Sequence, residues 1–124
     1  MDLVLFEERN AVGWVTLNQP ETRNALSLEM IGALQALLNR IRARNDLRVI
    51  VLRGNGPAFC AGHNLKEFSI ENPDPAYIRR IFLQCSEMML SLHQLPQPVI
   101  AQVHGIATAA RSEEHTSELQ SPNT

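Results

Sequence analysis

The sequence predicts an α/β fold in which single strands alternate with helices. Three observations predict it. Apolar runs at Leu3–Phe6, Val12–Leu17, Val49–Leu52 and Val99–Val103 have strand length. Two longer segments, opening at Ser27 and at Asp74, carry apolar residues at helical spacing. The resulting order is ββ, helix, β, loop, helix, β, which implies crossover connections and a layered architecture.

Leu3–Phe6 and Val12–Leu17 pair as a hairpin turning near Arg9-Asn10, where polar residues separate two strand-length runs. Asn18–Thr22 is a polar loop, since Pro20 pushes the residue before it out of helical geometry. Ser27 suits a helix N-cap, and Glu29 follows in the first turn, where the helix dipole favours an acid. Met30, Leu34, Leu37, Leu38 and Ile41 then form one apolar stripe. Arg40, Arg42 and Arg44 read as a solvated helix end, where cations are favourable. Val49–Leu52 fits a strand covered on both faces, and Gly54-Asn55-Gly56-Pro57 breaks it. Asp74 caps the second helix and Pro75 suits its first turn. Ile78, Ile81, Phe82, Cys85, Met88, Met89 and Leu92 make its buried face. That helix ends before Pro96, and Val99–Val103 is a strand ending at His104-Gly105.

The 124 residues suffice for one small domain, and 44% apolar content supports a core. A formal net charge of −2 argues against the broad basic surface of a nucleic-acid binder. No stretch approaches the roughly 20 apolar residues of a membrane span. Met1-Asp2-Leu3 lacks the basic and long apolar regions of a signal peptide. Neither nucleic acid nor membrane is therefore an expected partner. Cys60 and Cys85 make neither a disulfide scaffold nor a zinc pattern. No metal is expected, and a reducing, cytoplasmic compartment is.

The apolar periodicity stops at Ala110. Arg111–Thr124, RSEEHTSELQSPNT, holds one apolar residue, Leu119. The segment resembles the translation of a sequencing-library adapter. The expected domain is thus 1–110, with 111–124 a non-native disordered tail. The tail carries one arginine and three glutamates, so without it the eleven basic and thirteen acidic residues become ten of each. The expected domain is neutral.

The loop after the third strand reads Pro57-Ala58-Phe59-Cys60-Ala61-Gly62-His63-Asn64-Leu65-Lys66-Glu67. Its small residues and Gly62 let a ligand approach the backbone closely. Backbone N–H groups in such a loop can stabilise a developing oxyanion. Cys60 has no evident base to activate it and reads, like Cys85, as a small buried hydrophobe. His63 as a general base would need a proton within reach. His93 and His104 read as structural or surface residues, and Lys66-Glu67 as a solvated helix start. Gly54-Asn55-Gly56 lacks the third glycine of a dinucleotide fingerprint.

This loop resembles the signature of the enoyl-CoA hydratase/isomerase, or crotonase, family. Upstream, Asn18-Gln19-Pro20 and Arg23-Asn24-Ala25-Leu26-Ser27 resemble the family's other N-terminal motif. Downstream, Pro98-Val99-Ile100-Ala101 and His104-Gly105-Ile106-Ala107 resemble the strand and turn leading to its second site motif. Together the three motifs cover the chain from about Leu3 to Ala110. The resemblance implies the N-terminal part of a crotonase-like (ClpP/crotonase) spiral of ββα units, truncated. It implies an acyl-CoA thioester as ligand, with no separate cofactor because coenzyme A is part of the substrate. The implied chemistry polarises the thioester carbonyl in an oxyanion hole, in a lyase or isomerase of fatty-acid metabolism.

Matched by position, the backbone N–H groups of His63 and Ala110 would be the two oxyanion donors. The backbone around Ala61, Gly62, Asn64 and Leu65 would hold the adenine and pantetheine part of coenzyme A. Arg23 and Ala25 lie where the family contacts the same ligand, and a guanidinium fork also suits a phosphate. The family's hydratases use two glutamates as acid and base, both beyond the position of Ala110. One would fall at Glu113, inside the adapter-like segment, and Arg111 replaces a neighbouring family glycine. No acid or base is assigned, and the chain as written is expected to be inactive. Ala107-Thr108-Ala109-Ala110 is less glycine-rich than in the usual hydratases and looks closer to the subgroup called enoyl-CoA hydratase domain-containing protein 3, whose members tend not to keep the first glutamate. A non-catalytic acyl-CoA-binding or regulatory member is the alternative; an unrelated small interaction domain is the third reading. Family members are longer and usually form trimers through their C-terminal part. A homotrimer or dimer of trimers is implied for the full-length protein, with the apolar edges of this half covered.

Overall fold

The computed structural model describes residues 2–60, 62 and 74–104. Strands β1 (Val4–Arg9) and β2 (Val12–Leu17) precede a one-turn 3-10 helix (Pro20–Thr22) and helix α1 (Leu28–Arg42). Strand β3 (Val49–Gly54), helix α2 (Pro75–His93) and strand β4 (Val99–Ala101) follow. The order is the one the sequence predicts. All four strands lie in one sheet, in chain order. β1 and β2 are antiparallel, with Glu7 opposite Trp14. β2–β3 and β3–β4 are parallel, so Leu17 pairs with Gly54 and Leu52 with Ala101. The hairpin turns on Asn10 and Ala11, with φ of 52° and 65°. Two left-handed residues are what a two-residue turn needs to match the twist of its strands.

Ser27 caps α1, its hydroxyl accepting the Met30 N–H at 3.0 Å. That bond satisfies one of the donors a helix start leaves open. The predicted stripe is buried, and Ile31 joins it. These side chains share one core with Val15, Leu17 and Ile50 of the sheet. Each such side chain, fully buried, contributes about 1.5–3 kcal/mol. Asp74 caps α2 by accepting the Ala76 N–H at 3.1 Å. α2 lies against α1 and adds Ile81 and Met88 to the same core.

Several expectations are corrected. On α2, Phe82 and Met89 are exposed rather than buried, as are Leu83 and Leu90. The helix buries a narrow stripe through Ile81 and Met88, flanked by half-buried Cys85 and Leu92. β3 is not covered on both faces: Ile50 is buried but Val51 is half-exposed. The face opposite the helices carries Trp14 between the guanidinium groups of Arg9 and Arg53, 4.7 and 4.6 Å from the ring centroid. Glu7 pairs with the same arginines at 3.1 and 3.6 Å. Arg44 sits beyond the helix and pairs with Asp46 at 2.6 Å and Glu8 at 2.8 Å, so it is more than a solvated helix end. β4 stops at Ala101, although the Gln102 N–H still donates to the Leu52 carbonyl at 2.8 Å. The helix start expected at Lys66-Glu67 and the tail expected at 111–124 lie outside the described residues.

Candidate functional site

The parallel strands β2, β3 and β4 end on one edge of the sheet. Open parallel sheets place ligands beyond such carboxyl ends. The loops leaving this edge are 18–27, the segment from Asn55 onward and 102–104. They are tied to one another by hydrogen bonds. Asn55 donates its backbone N–H to Leu17 and its side-chain amide to Asn18 Oδ1, both at 2.9 Å. Phe59 N–H donates to the His104 carbonyl at 3.2 Å. His104 Nε2 lies 2.8 Å from the Gly56 carbonyl, so the tautomer with a proton on Nε2 donates there. His104, read from sequence as a structural or surface residue, is exposed and still bridges two of the loops.

At the centre of this set is Asn24, fully buried. Its Oδ1 accepts the Gln19 N–H at 2.8 Å. Its Nδ2 donates toward the carbonyls of Asn55, Ala58 and Phe59 at 2.9, 3.1 and 3.2 Å. Sequence reasoning quotes Asn24 within a motif and gives it no role. Its partners are distant in sequence, so the motif was the signal that could have marked it.

Three of the predicted site residues are described. Arg23 is exposed, in the left-handed region at φ 55°, and its backbone N–H is spent on the Pro20 carbonyl. Its guanidinium makes no ion pair with a described residue. Ala25 is buried, its N–H donating to the Thr22 carbonyl and its own carbonyl accepting from Ser27. The N–H of Ala25 is therefore engaged internally. Gly62 has φ +88°, a conformation that a side chain would strain. Its carbonyl accepts the Leu26 N–H, which joins the loop after β3 to the turn before α1. Ala61, His63, Asn64, Leu65 and Ala110, with both expected oxyanion donors among them, lie outside the described residues.

Neither cysteine is in a disulfide. Cys60 is buried beside the Asn24-held loop, and burial pushes the Cys85 thiol above its ordinary range. Among the described residues no three His, Cys, Asp or Glu side chains gather as a metal site. No helix among them is long and apolar enough to cross a membrane.

The sequence profile of enoyl-CoA hydratase/isomerase matches residues 7–113. The chain belongs to the enoyl-CoA hydratase/isomerase family. It is 42% identical over 109 residues to a Danio rerio protein named enoyl-CoA hydratase domain-containing protein 3, mitochondrial. That match covers 87% of this chain and 37% of the Danio protein. The crystal structure of a Mycobacterium smegmatis enoyl-CoA hydratase superposes with a TM-score of 0.81 at 43% identity, covering 87% of this chain and 42% of that one. Human enoyl-CoA hydratase domain-containing protein 3 superposes at 0.80 and 37% identity, with the same coverage. The chain thus has the fold of the N-terminal part of a crotonase-family domain and spans under half the length of these relatives. The enoyl-CoA hydratase/isomerase match runs three residues past Ala110, into the adapter-like segment. The family motif around Arg23–Ser27 and the described part of the one at 57–62 are what the sheet edge gathers.

Proposed function

We propose that this chain holds the coenzyme A part of an acyl-CoA thioester on the loop edge of β2, β3 and β4. The supporting observation is the convergence of two family motifs at the carboxyl ends of parallel strands, laced by Asn24 and the Leu26–Gly62 bond. Arg23, exposed and without an ion pair to a described residue, is the phosphate partner. The backbone around Ala61, Gly62, Asn64 and Leu65 holds the adenine and pantetheine part, and Ala25 contacts the same ligand. Coenzyme A enters as part of the substrate, and no separate cofactor is needed.

In a full-length protein the N–H groups of His63 and Ala110 take the thioester oxygen and stabilise its enolate. Donors preorganised toward a developing oxyanion are each worth about 10²–10³-fold in rate. That is the chemistry of a lyase or isomerase of fatty-acid metabolism, in a homotrimer or dimer of trimers. Residues 1–110 form the binding unit and 111–124 a non-native tail. With no acid or base assigned, this chain binds its ligand without turning it over. The compartment is a reducing one: the cysteine usage favours the cytoplasm, and the name of the Danio rerio relative favours the mitochondrion.

Calorimetric titration of the purified chain with acetyl-CoA tests this. Saturable binding is expected, weakened at least about tenfold by Arg23→Glu, since a charge-assisted bond contributes about 1.5–3 kcal/mol. No binding by the wild-type chain, or equal binding by the variant, overturns the reading.

A further inference from the structure

We propose that Asn24 is the positioning residue of this site, the side chain through which the turn before α1 fixes the loop after β3. The inference rests on the acyl-CoA reading above. Its amide is fully buried and spans four backbone groups in two loops, one on its own side and three across. Two N–H hydrogens serve three carbonyls there, so one is shared. Asparagine suits this arrangement because it offers two donors and an acceptor on a short side chain. Aspartate would turn an oxygen toward three carbonyl oxygens, and serine has one donor. The backbone adds a second requirement. Arg23 and Asn24 have φ of 55° and 56°, a region in which asparagine is enriched among non-glycine residues. The gripped carbonyls at 55–59 and the Leu26–Gly62 bond hold the loop on both sides of Cys60. The path of the described loop through residues 55–60 is therefore set chiefly by one amide.

The test uses the whole chain as wild type, Asn24→Gly and Asn24→Asp. Glycine keeps the left-handed backbone free of strain and deletes the amide. Amide hydrogen exchange by NMR should quicken at least about tenfold at Gln19, Leu26 and Phe59, with Val15 and Ile50 little changed. Acetyl-CoA affinity should fall at least about tenfold, as misplacement of a site by about 1 Å is costly. In Asn24→Asp the introduced carboxyl donates one hydrogen bond when protonated. Its affinity relative to wild type should recover as pH is lowered from about 7.5 to 5.5, within the range burial can raise a carboxyl pKa. The Asn24→Gly ratio should stay flat over the same range. The glycine variant also controls for His104, whose ring nitrogen lies 2.8 Å from the Gly56 carbonyl in the same set of loops.

Equal quickening at Val15 and Ile50 would make Asn24 a residue of general stability and overturn the proposal. Unchanged affinity beside a wild-type chain that binds also overturns it. A wild-type chain that binds no acetyl-CoA refutes the acyl-CoA reading alone, and the exchange rates then decide whether Asn24 fixes the loop.

Discussion

Gly54 ends β3 against the Asn24 clamp, and adding one methyl group there tests how tightly that edge is built. A Cβ on Gly54 would lie 2.5 Å from the Phe59 carbonyl oxygen and 2.8 Å from Asn24 Nδ2. Even favourable carbon–oxygen contacts lie at about 3.3 Å, so the carbonyl must retreat by roughly 0.8 Å. That retreat breaks the 3.2 Å bond from Asn24 to Phe59. Overpacking costs about 1–3 kcal/mol. A buried polar group stripped of its partner costs about 1–3 kcal/mol more. Gly54→Ala should therefore destabilise the chain by about 2–6 kcal/mol and lower Tm by roughly 8–24 °C. Gly32→Ala is the matched control. Gly32 is exposed on α1, and a Cβ there meets nothing within 4 Å. Alanine in a helix interior gains about 1 kcal/mol over glycine, so Tm should rise by about 4 °C. Thermal unfolding followed by far-ultraviolet circular dichroism reads both. Shifts of the same sign, or a Gly54→Ala loss under about 3 °C, would refute the close packing claimed for this edge.

Ser27→Ala removes the cap of α1 and should cost about 1 kcal/mol in urea unfolding, with an unchanged m-value. Arg44 beside Asp46 holds that carboxyl below its ordinary range. A depressed carboxylate pKa stabilises the fold above the ordinary value of about 3.9, and the contribution is lost as pH falls through the lowered value. The Tm difference between wild type and Asp46→Asn should thus be present at about pH 6 and vanish as pH falls through the lowered value. Leu83 and Leu90 are 59% and 55% exposed on α2. Replacing both with lysine should leave Tm within about 2 °C and reduce light scattering at high concentration, because exposed apolar patches promote association.

The elements were legible where the deciding partner is near in sequence. Ser27 meets the N–H of a residue three positions on, and Asp74 that of one two positions on. The stripe from Met30 to Ile41 was legible because it repeats within a single helix. What failed depends on how much surface lies opposite. The apolar arc of α2 runs from Ile78 to Leu92 and is wider than the surface it packs on, so Phe82 and Met89 turn outward. The run Val49–Leu52 is equally compatible with one covered face or two, and periodicity carries no information on which applies. The pairing of Arg44 with Glu8, 36 residues away, has no local sign either.

The candidate site divides along the same line. Glycine and small residues after β3 mark a loop open to close approach, and Gly62 does take a positive φ. The four partners of Asn24 stand 5, 31, 34 and 35 residues away, so apart from the motif it sits in, nothing local distinguishes it from Asn39 or Asn45. What brings those partners to it is the register of β2 against β3. Val15 pairs with Leu52 and Leu17 with Gly54, which sets Asn55 beside Leu17 and Asn18. A slip of one residue would turn Ile50 from the core to the opposite face, so the apolar pattern holds that register firmly. The same slip would move the carbonyls of Asn55, Ala58 and Phe59 by one strand rise, about 3.3 Å, beyond the reach of one amide. Core packing in the sheet thus sets the geometry of the loops at its edge, and Phe59 and Cys60 of those loops join the same core.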